Sequence, residues 1–382
     1  MTPNRVVFLN GSALPGGGEI ALAQLASGVP RGLVVLFEHG PAEELFGKKG
    51  IEVVVRPLPP KLLGNSKESG LPGPVLVVSA LSHSLRLAAF LRKFDVVHCN
   101  NQKAWVVGAI ASAVARRPVV WHLHDILSRE HFSRTKIRLV VALARWRRAK
   151  VIANSIASAE AFIAAGGRRG QVEVLYNPVD PAPFREAKPL AGLRSELGCR
   201  DEPLWGLFSR LASWKGQHVA IEALSKLGKG HLLLVGSALF GEEAWEAHLR
   251  EMVHDLGLEG RVHFLGFRSD IPELLATVDG AIHASTAAEP FGLVILEAQL
   301  AEKPVVATAA GGALEIVEHG RSGWLVPPGD VGALAKVLAE WTEFPDAAAA
   351  TGRVAGVDAI AKFDPVKLSA RFGEILRETA AA

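Results

Sequence analysis

The sequence is short of cysteine, of long apolar runs and of low-complexity segments. Its two cysteines, Cys99 and Cys199, stand far apart. Their spacing supports neither a disulfide framework nor a cysteine metal site, and both read as ordinary core thiols. No stretch reaches the ~18 consecutive apolar residues of a membrane-spanning helix. The nearest, residues 74–94, is interrupted by His83, Arg86 and Arg92. The opening run MTPNRVVFLNGS lacks the layout of a signal peptide and has the composition of a strand. These absences lead to the expectation of a cytoplasmic chain. There is no short-period repeat and no biased segment.

What is present is core material. Of 382 residues, 49% are hydrophobic and 21% charged, an ordinary globular composition. That length makes two domains the default. The net charge of +3 hides an asymmetry: residues 1–185 carry +12 and residues 186–382 carry −9. A basic half suggests an anionic partner; mutual attraction of the two halves is the plainer alternative.

Short Val/Ile/Leu runs alternate with helix-length segments throughout. RVVFLNG, GLVVLFEHG, IEVVVRP, FDVVHCNN, RPVVWHLHD, AKVIANS and VEVLYNP read as strands of a first parallel α/β domain. LWGLFSRL, GHLLLVGSA, RVHFLGF, GAIHAS, KPVVATA and GWLVPPGD read as strands of a second. Residues 101–116, 131–148 and 240–257 are helix candidates, and 365–378 is an amphipathic closing helix. Between the domains, residues 177–190 hold four prolines, and read as a linker without helix. The expected division is 1–182, 183–362 and a closing helix, 363–382, that crosses back to the first domain. In such sheets ligands sit beyond the strand C-ends, so loops after strands carry the candidates.

Four constellations stand there. Gly16, Gly17 and Gly18 lie between the first strand and first helix, where backbone N–H groups can approach a phosphate; a tight turn explains them equally well. Arg210 and Lys215 follow a strand of the second half, a fork and a point charge suited to a diphosphate; two exposed loop cations are the alternative. Glu289 and Glu297 flank an apolar helix start at Gly292 in AEPFGLVILEAQLA. Glu297 lies roughly 7.5 Å along the axis from that start. They can clamp two ends of a hydroxylated ligand, or be a cap and a surface residue. His122 and His124 alternate out of a strand toward one face, with Asp125 next. The pattern lacks the spacing of a zinc site.

Taken together these motifs resemble retaining glycosyltransferases of family 4. EPFGLVILEA is similar to their E-x7-E signature. FSRLASWKGQ resembles their G-R-L-x-x-x-K-G segment with Ser209 in place of glycine. VLYNPVDPAPF resembles their linker, with Pro178 in place of glycine. The resemblance implies a GT-B fold, two Rossmann-like doubly wound α/β domains facing a central cleft. It implies that Glu289 holds donor-sugar hydroxyls and that Phe291, Gly292 and Leu293 touch sugar and phosphate. Glu297 would bind the ribose, while Arg210, Lys215 and Gly16–Gly18 would meet the diphosphate. His124 would lie near the sugar, and Phe267 and Arg268 beside the base.

The implied activity is metal-independent transfer of a hexosyl unit from a nucleotide-diphosphate sugar to an acceptor hydroxyl, by front-face attack and without a cofactor. A uridine donor is favoured over a guanosine one, and no nucleic acid is involved. The rivals are an epimerase on the same fold and a nucleotide-sugar-binding protein without turnover. Alanine at Glu289, Arg210 or Lys215 is expected to cut transfer at least about tenfold. The helix RTKIRLVVALARWRRAK gathers Arg134, Arg138, Arg145 and Arg148 on one side, with Leu139, Val140 and Leu143 elsewhere. It suggests peripheral contact with an anionic inner membrane face, or simply a solvated basic helix.

Overall fold

The computed structural model describes residues 5–58, 74–238 and 241–382; the first four residues of the strand-like opening run lie outside them. The chain divides into two compact units, residues 1–178 with 365–382, and residues 179–364.

The first unit is a seven-stranded parallel sheet in the order β3-β2-β1-β4-β5-β6-β7. The strands are β1 Val6–Asn10, β2 Gly32–Leu36, β3 Glu52–Val55, β4 Val96–Cys99, β5 Val119–Leu123, β6 Lys150–Ala153 and β7 Val172–Val174. β1, β4 and β5 are buried at every residue. Helices cover both faces, which is why these strands are continuous apolar runs rather than alternating ones. The closing helix Pro365–Ala381 belongs to this unit. It buries Phe372, Ile375 and Leu376 among Val6, Phe8 and Leu22, worth about 1.5–3 kcal/mol per side chain. Arg371 fastens it to Glu173 after a hydrogen bond of 2.7 Å.

The second unit is a six-stranded parallel sheet in the order β10-β9-β8-β11-β12-β13. Its strands are β8 Leu204–Phe208, β9 His231–Val235, β10 Val262–Gly266, β11 Gly280–His283, β12 Val305–Thr308 and β13 Trp324–Val326. In each sheet the strand order reverses at one place, between β1 and β4 and between β8 and β11. Loops leaving the strand C-ends diverge there and leave a crevice for ligands.

Two sequence expectations shift. The proline-rich segment is not helix-free: Ala182–Glu186 is a short helix with Pro181 at its N-cap and proline in its first turn. A first-turn N–H has no intrahelical partner, so proline costs nothing there. This helix packs on helices Ile271–Thr277 and Leu293–Leu300, so the break falls at Pro178/Val179 rather than at 182/183. The second break falls at Asp364/Pro365 rather than at 362/363.

Candidate active site

In the second unit the chemistry gathers at the switch point. β8 leads into Ser209 and Arg210, then a single 3-10 turn, Ser213–Lys215. Gly216 follows with φ +72° and starts the helix Gln217–Ser225. A Cβ on Gly216 would stand 1.8 Å from the carbonyl oxygen of Ala284, just past the end of β11. Only glycine lets these two loops touch. Thr286 N–H donates to the Trp214 carbonyl at 2.8 Å, locking the loops together. Gln217 is fully buried and donates to Arg210 O at 2.9 Å and Ser209 Oγ at 3.0 Å.

The result is a buried ion pair between residues remote in sequence. Lys215 Nζ lies 2.6 Å from Glu289 Oε2, with side chains only 15% and 14% exposed. His283 Nε2 and Ser285 Oγ each lie 3.4 Å from the same oxygen. Burial alone would raise the Glu289 pKa; the Lys215 charge, then His283, overcome it and hold the carboxyl well below the usual range. Glu289 Oε1 has no partner among the described residues. One oxygen is thus saturated and the other is left as an acceptor.

The Glu289 backbone is fixed too. Gly311, at φ +62°, pairs with it; a Cβ there would come within 2.2 Å of Glu289 O. Gly312 N–H donates to that same carbonyl at 2.8 Å. Phe291 turns its ring inward against Phe363, so only its backbone is available to a ligand. Gly292, at φ +96°, caps the helix Leu293–Leu300 with no side chain on its first-turn N–H groups. These N–H groups and the helix dipole favour an anion.

Glu297 differs from Glu289. It is half-buried in that helix and has no side-chain partner among the described residues. Burial pushes its pKa up to about 7. Arg210 lies 3.4 Å from Glu242 and 5.8 Å from the Trp214 ring. Phe267 is 74% exposed after β10, while Arg268 forms a bidentate pair with Asp270. That pair fixes the loop and leaves the Phe267 ring as its free face.

In the first unit, Gly16 caps the helix Gly17–Ser27, and the buried Glu19 carboxyl accepts from Gly16 N–H at 3.2 Å. The N–H groups of Gly17 and Gly18 have no partner among the described residues. A Cβ on Gly18 would meet the His124 ring at 3.3 Å. Asn100 ties the cluster together: its Nδ2 donates to Gly18 O at 3.1 Å and Asn10 Oδ1 at 3.0 Å. Because a backbone carbonyl only accepts, Asn100 Oδ1 must face His124 Nε2, 3.0 Å away. His124 is therefore the Nε2–H tautomer. Its Nδ1 is buried without a partner, so both ring nitrogens turn inward. The His122 ring packs against it, tilted, with centroids 4.0 Å apart, while His98 and Phe372 close the cluster. Burial lowers His98 and His124 to about 3, so these rings are neutral.

Sequence reasoning missed His283, Ser285, Trp214, Gly311 and Gly312. His283 and Ser285 were visible in GAIHAS; the others carry no local signal. Among the described residues no group of three or more His, Cys, Asp or Glu is placed to hold a metal ion.

The chain matches known proteins along its length. Residues 15–183 match the family model Glycosyltransferase Family 4, and residues 195–355 match Glycosyl transferases group 1. The crystal structure of Anabaena HepE in complex with UDP and glucose is 42% identical, with a TM-score of 0.89 over 98% of this chain and 99% of that one. An uncharacterized glycosyltransferase of Methanocaldococcus jannaschii is 28% identical over 271 residues, 65% of this chain and 67% of that protein. A GDP-mannose-dependent phosphatidylinositol monomannoside mannosyltransferase of Mycobacterium tuberculosis is 30% identical over 234 residues, 58% of this chain and 60% of that protein.

Proposed function

This chain belongs to the GT-B glycosyltransferases, and from that premise we propose that it is a retaining hexosyltransferase using a UDP-sugar. The observation that carries the reading is the Glu289 carboxyl: three donors hold Oε2, and Oε1 is left to accept sugar hydroxyls. The support for uridine is the likeness to Anabaena HepE, which was crystallised with UDP-glucose. Lys215 retains N–H donors beyond the one given to Glu289. With Arg210 and the N-terminus of helix Leu293–Leu300, it would stabilise the diphosphate as the bond to C1 breaks. The acceptor oxygen would then bond C1 on the face the phosphate leaves, its proton passing to the leaving phosphate oxygen. The E-x7-E pair so acts as a clamp, Glu289 on the sugar and Glu297 on the ribose. Phe267 would lie against the base. In the first unit, the Gly17 and Gly18 N–H groups would donate to an anion, beside the fixed, neutral ring of His124.

Incubation with UDP- and GDP-sugars, with and without candidate acceptors, tests this. UDP release from one UDP-hexose is expected. Binding without release from any donor would make the chain a non-catalytic sensor; epimerised donor in place of released UDP would point to the other rival.

Glu297 adds a pH signature. A carboxyl whose pKa is raised on folding from its usual value near 4.5 to about 7 costs stability when ionised. Its contribution is therefore most favourable below the unfolded pKa and declines as pH rises toward 7. Ribose hydroxyls donate to the ionised form, so donor binding draws the proton off. Titration calorimetry should show proton release near pH 6.5 and UDP affinity falling about tenfold from pH 8 to pH 6. Glu297→Gln should flatten that dependence; an unchanged profile would remove Glu297 from the ribose site.

A further inference from the structure

The helix Arg134–Arg147 presents two adjacent stripes to solvent. Arg134, Arg138 and Arg145 form one, spaced i, i+4, i+11. The other is Leu139, Ala142 and Trp146, spaced i, i+3, i+7, with Leu139 40% and Trp146 59% exposed. Leu139 thus lies on the open face beside the arginines, not away from it as the helical wheel suggested, while Val140 is buried. From His131 to Lys150 there are seven Lys and Arg and no Asp or Glu. Arg134, Arg138, Arg145 and Arg148 have no ion-pair partner among the described residues.

The basic patch continues beyond this helix. Three helices of the unit end in basic residues: Pro74–Leu91 before Arg92 and Lys93, Gln102–Ala115 before Arg116 and Arg117, and Arg134–Arg147 before Arg148. Arg147 donates to the Arg117 carbonyl at 3.0 Å, and Arg117 donates to the Arg92 carbonyl at 2.7 Å. These bonds align three basic turns along one edge. Cations at helix C-termini complement the dipole, which accounts for Arg117 and Arg147. It does not account for Arg92, Lys93, Arg116 and Arg148, which point to solvent, nor for an exposed tryptophan beside them.

We propose that this edge is a docking surface for an anionic bilayer, the arginines meeting lipid phosphates and Leu139 and Trp146 entering the headgroup layer. A soluble polyanion would satisfy the charges and leave the apolar stripe in water; a bilayer satisfies both. Among the described residues no helix is long and apolar enough to cross a membrane, so the contact is with the surface. The inference stands apart from the donor reading, because none of these residues is placed in the donor site.

Co-sedimentation with phosphatidylglycerol-containing vesicles tests it, with pure phosphatidylcholine vesicles and high salt as the comparison arms. Wild type should sediment with the anionic vesicles only, and salt should release it. The variant Arg116→Gln/Arg145→Gln/Arg148→Gln should bind about tenfold or more weakly. Trp146→Ser should weaken binding several-fold and leave UDP release from the donor unchanged. Equal sedimentation with neutral vesicles, or none with anionic ones at low salt, would overturn the proposal. So would vesicle binding indifferent to Trp146→Ser, or retention on heparin without vesicle binding, which identifies a soluble polyanion.

Discussion

Glu289→Gln should lower transfer about 10–100-fold, the worth of one or two hydrogen bonds to a charged group, with the fold intact. The amide keeps the volume but loses the charge that holds Lys215. Lys215→Met should do the same from the other side. Each single change strands one member of a pair whose side chains are about 15% exposed. Breaking such a pair costs on the order of 3 kcal/mol, more than replacing both members. The double variant Lys215→Met/Glu289→Gln should therefore melt above the Lys215→Met single variant while transferring no faster than it. Additive losses in melting temperature would mean that the two side chains do not share one buried pair.

Gly216→Ala should be about as damaging, although it removes no functional group. The added carbon would stand 1.8 Å from Ala284 O, so the 3-10 turn carrying Lys215 must back away from the loop carrying Glu289. A displacement near 1 Å at a reacting centre costs about 10²-fold. Gly257→Ala is the control: its φ of +65° is also left-handed, but a Cβ there meets nothing within 4 Å. It carries the backbone strain of roughly 1–2 kcal/mol without the clash. Activity as high in Gly216→Ala as in Gly257→Ala would show that the contact with Ala284 does not position Lys215.

These contacts explain what the sequence could and could not convey. Strand identity was legible because strands covered on both faces are unbroken Val/Ile/Leu runs, as in VVFLN and HLLLV. The long helix Pro345–Lys362 gives no helical period because its buried face is alanine and glycine, while Val354 and Val357 stand exposed. The clamp residues were legible through E-x7-E and R-x4-K. Their pairing was not, since Lys215 and Glu289 are 74 positions apart. The inward turn of His124 was equally hidden: it depends on Asn100 and Gly18, which come from other loops.

The central claim is that this site retains configuration while moving a hexose from a UDP donor. NMR of UDP-glucose labelled at C1 with carbon-13, followed during turnover with water or an added acceptor, tests it most directly. Release of UDP and a first-formed product carrying the α configuration of the donor are expected. A β-configured first product, or no turnover of any UDP-hexose after exhaustive incubation, would contradict the claim.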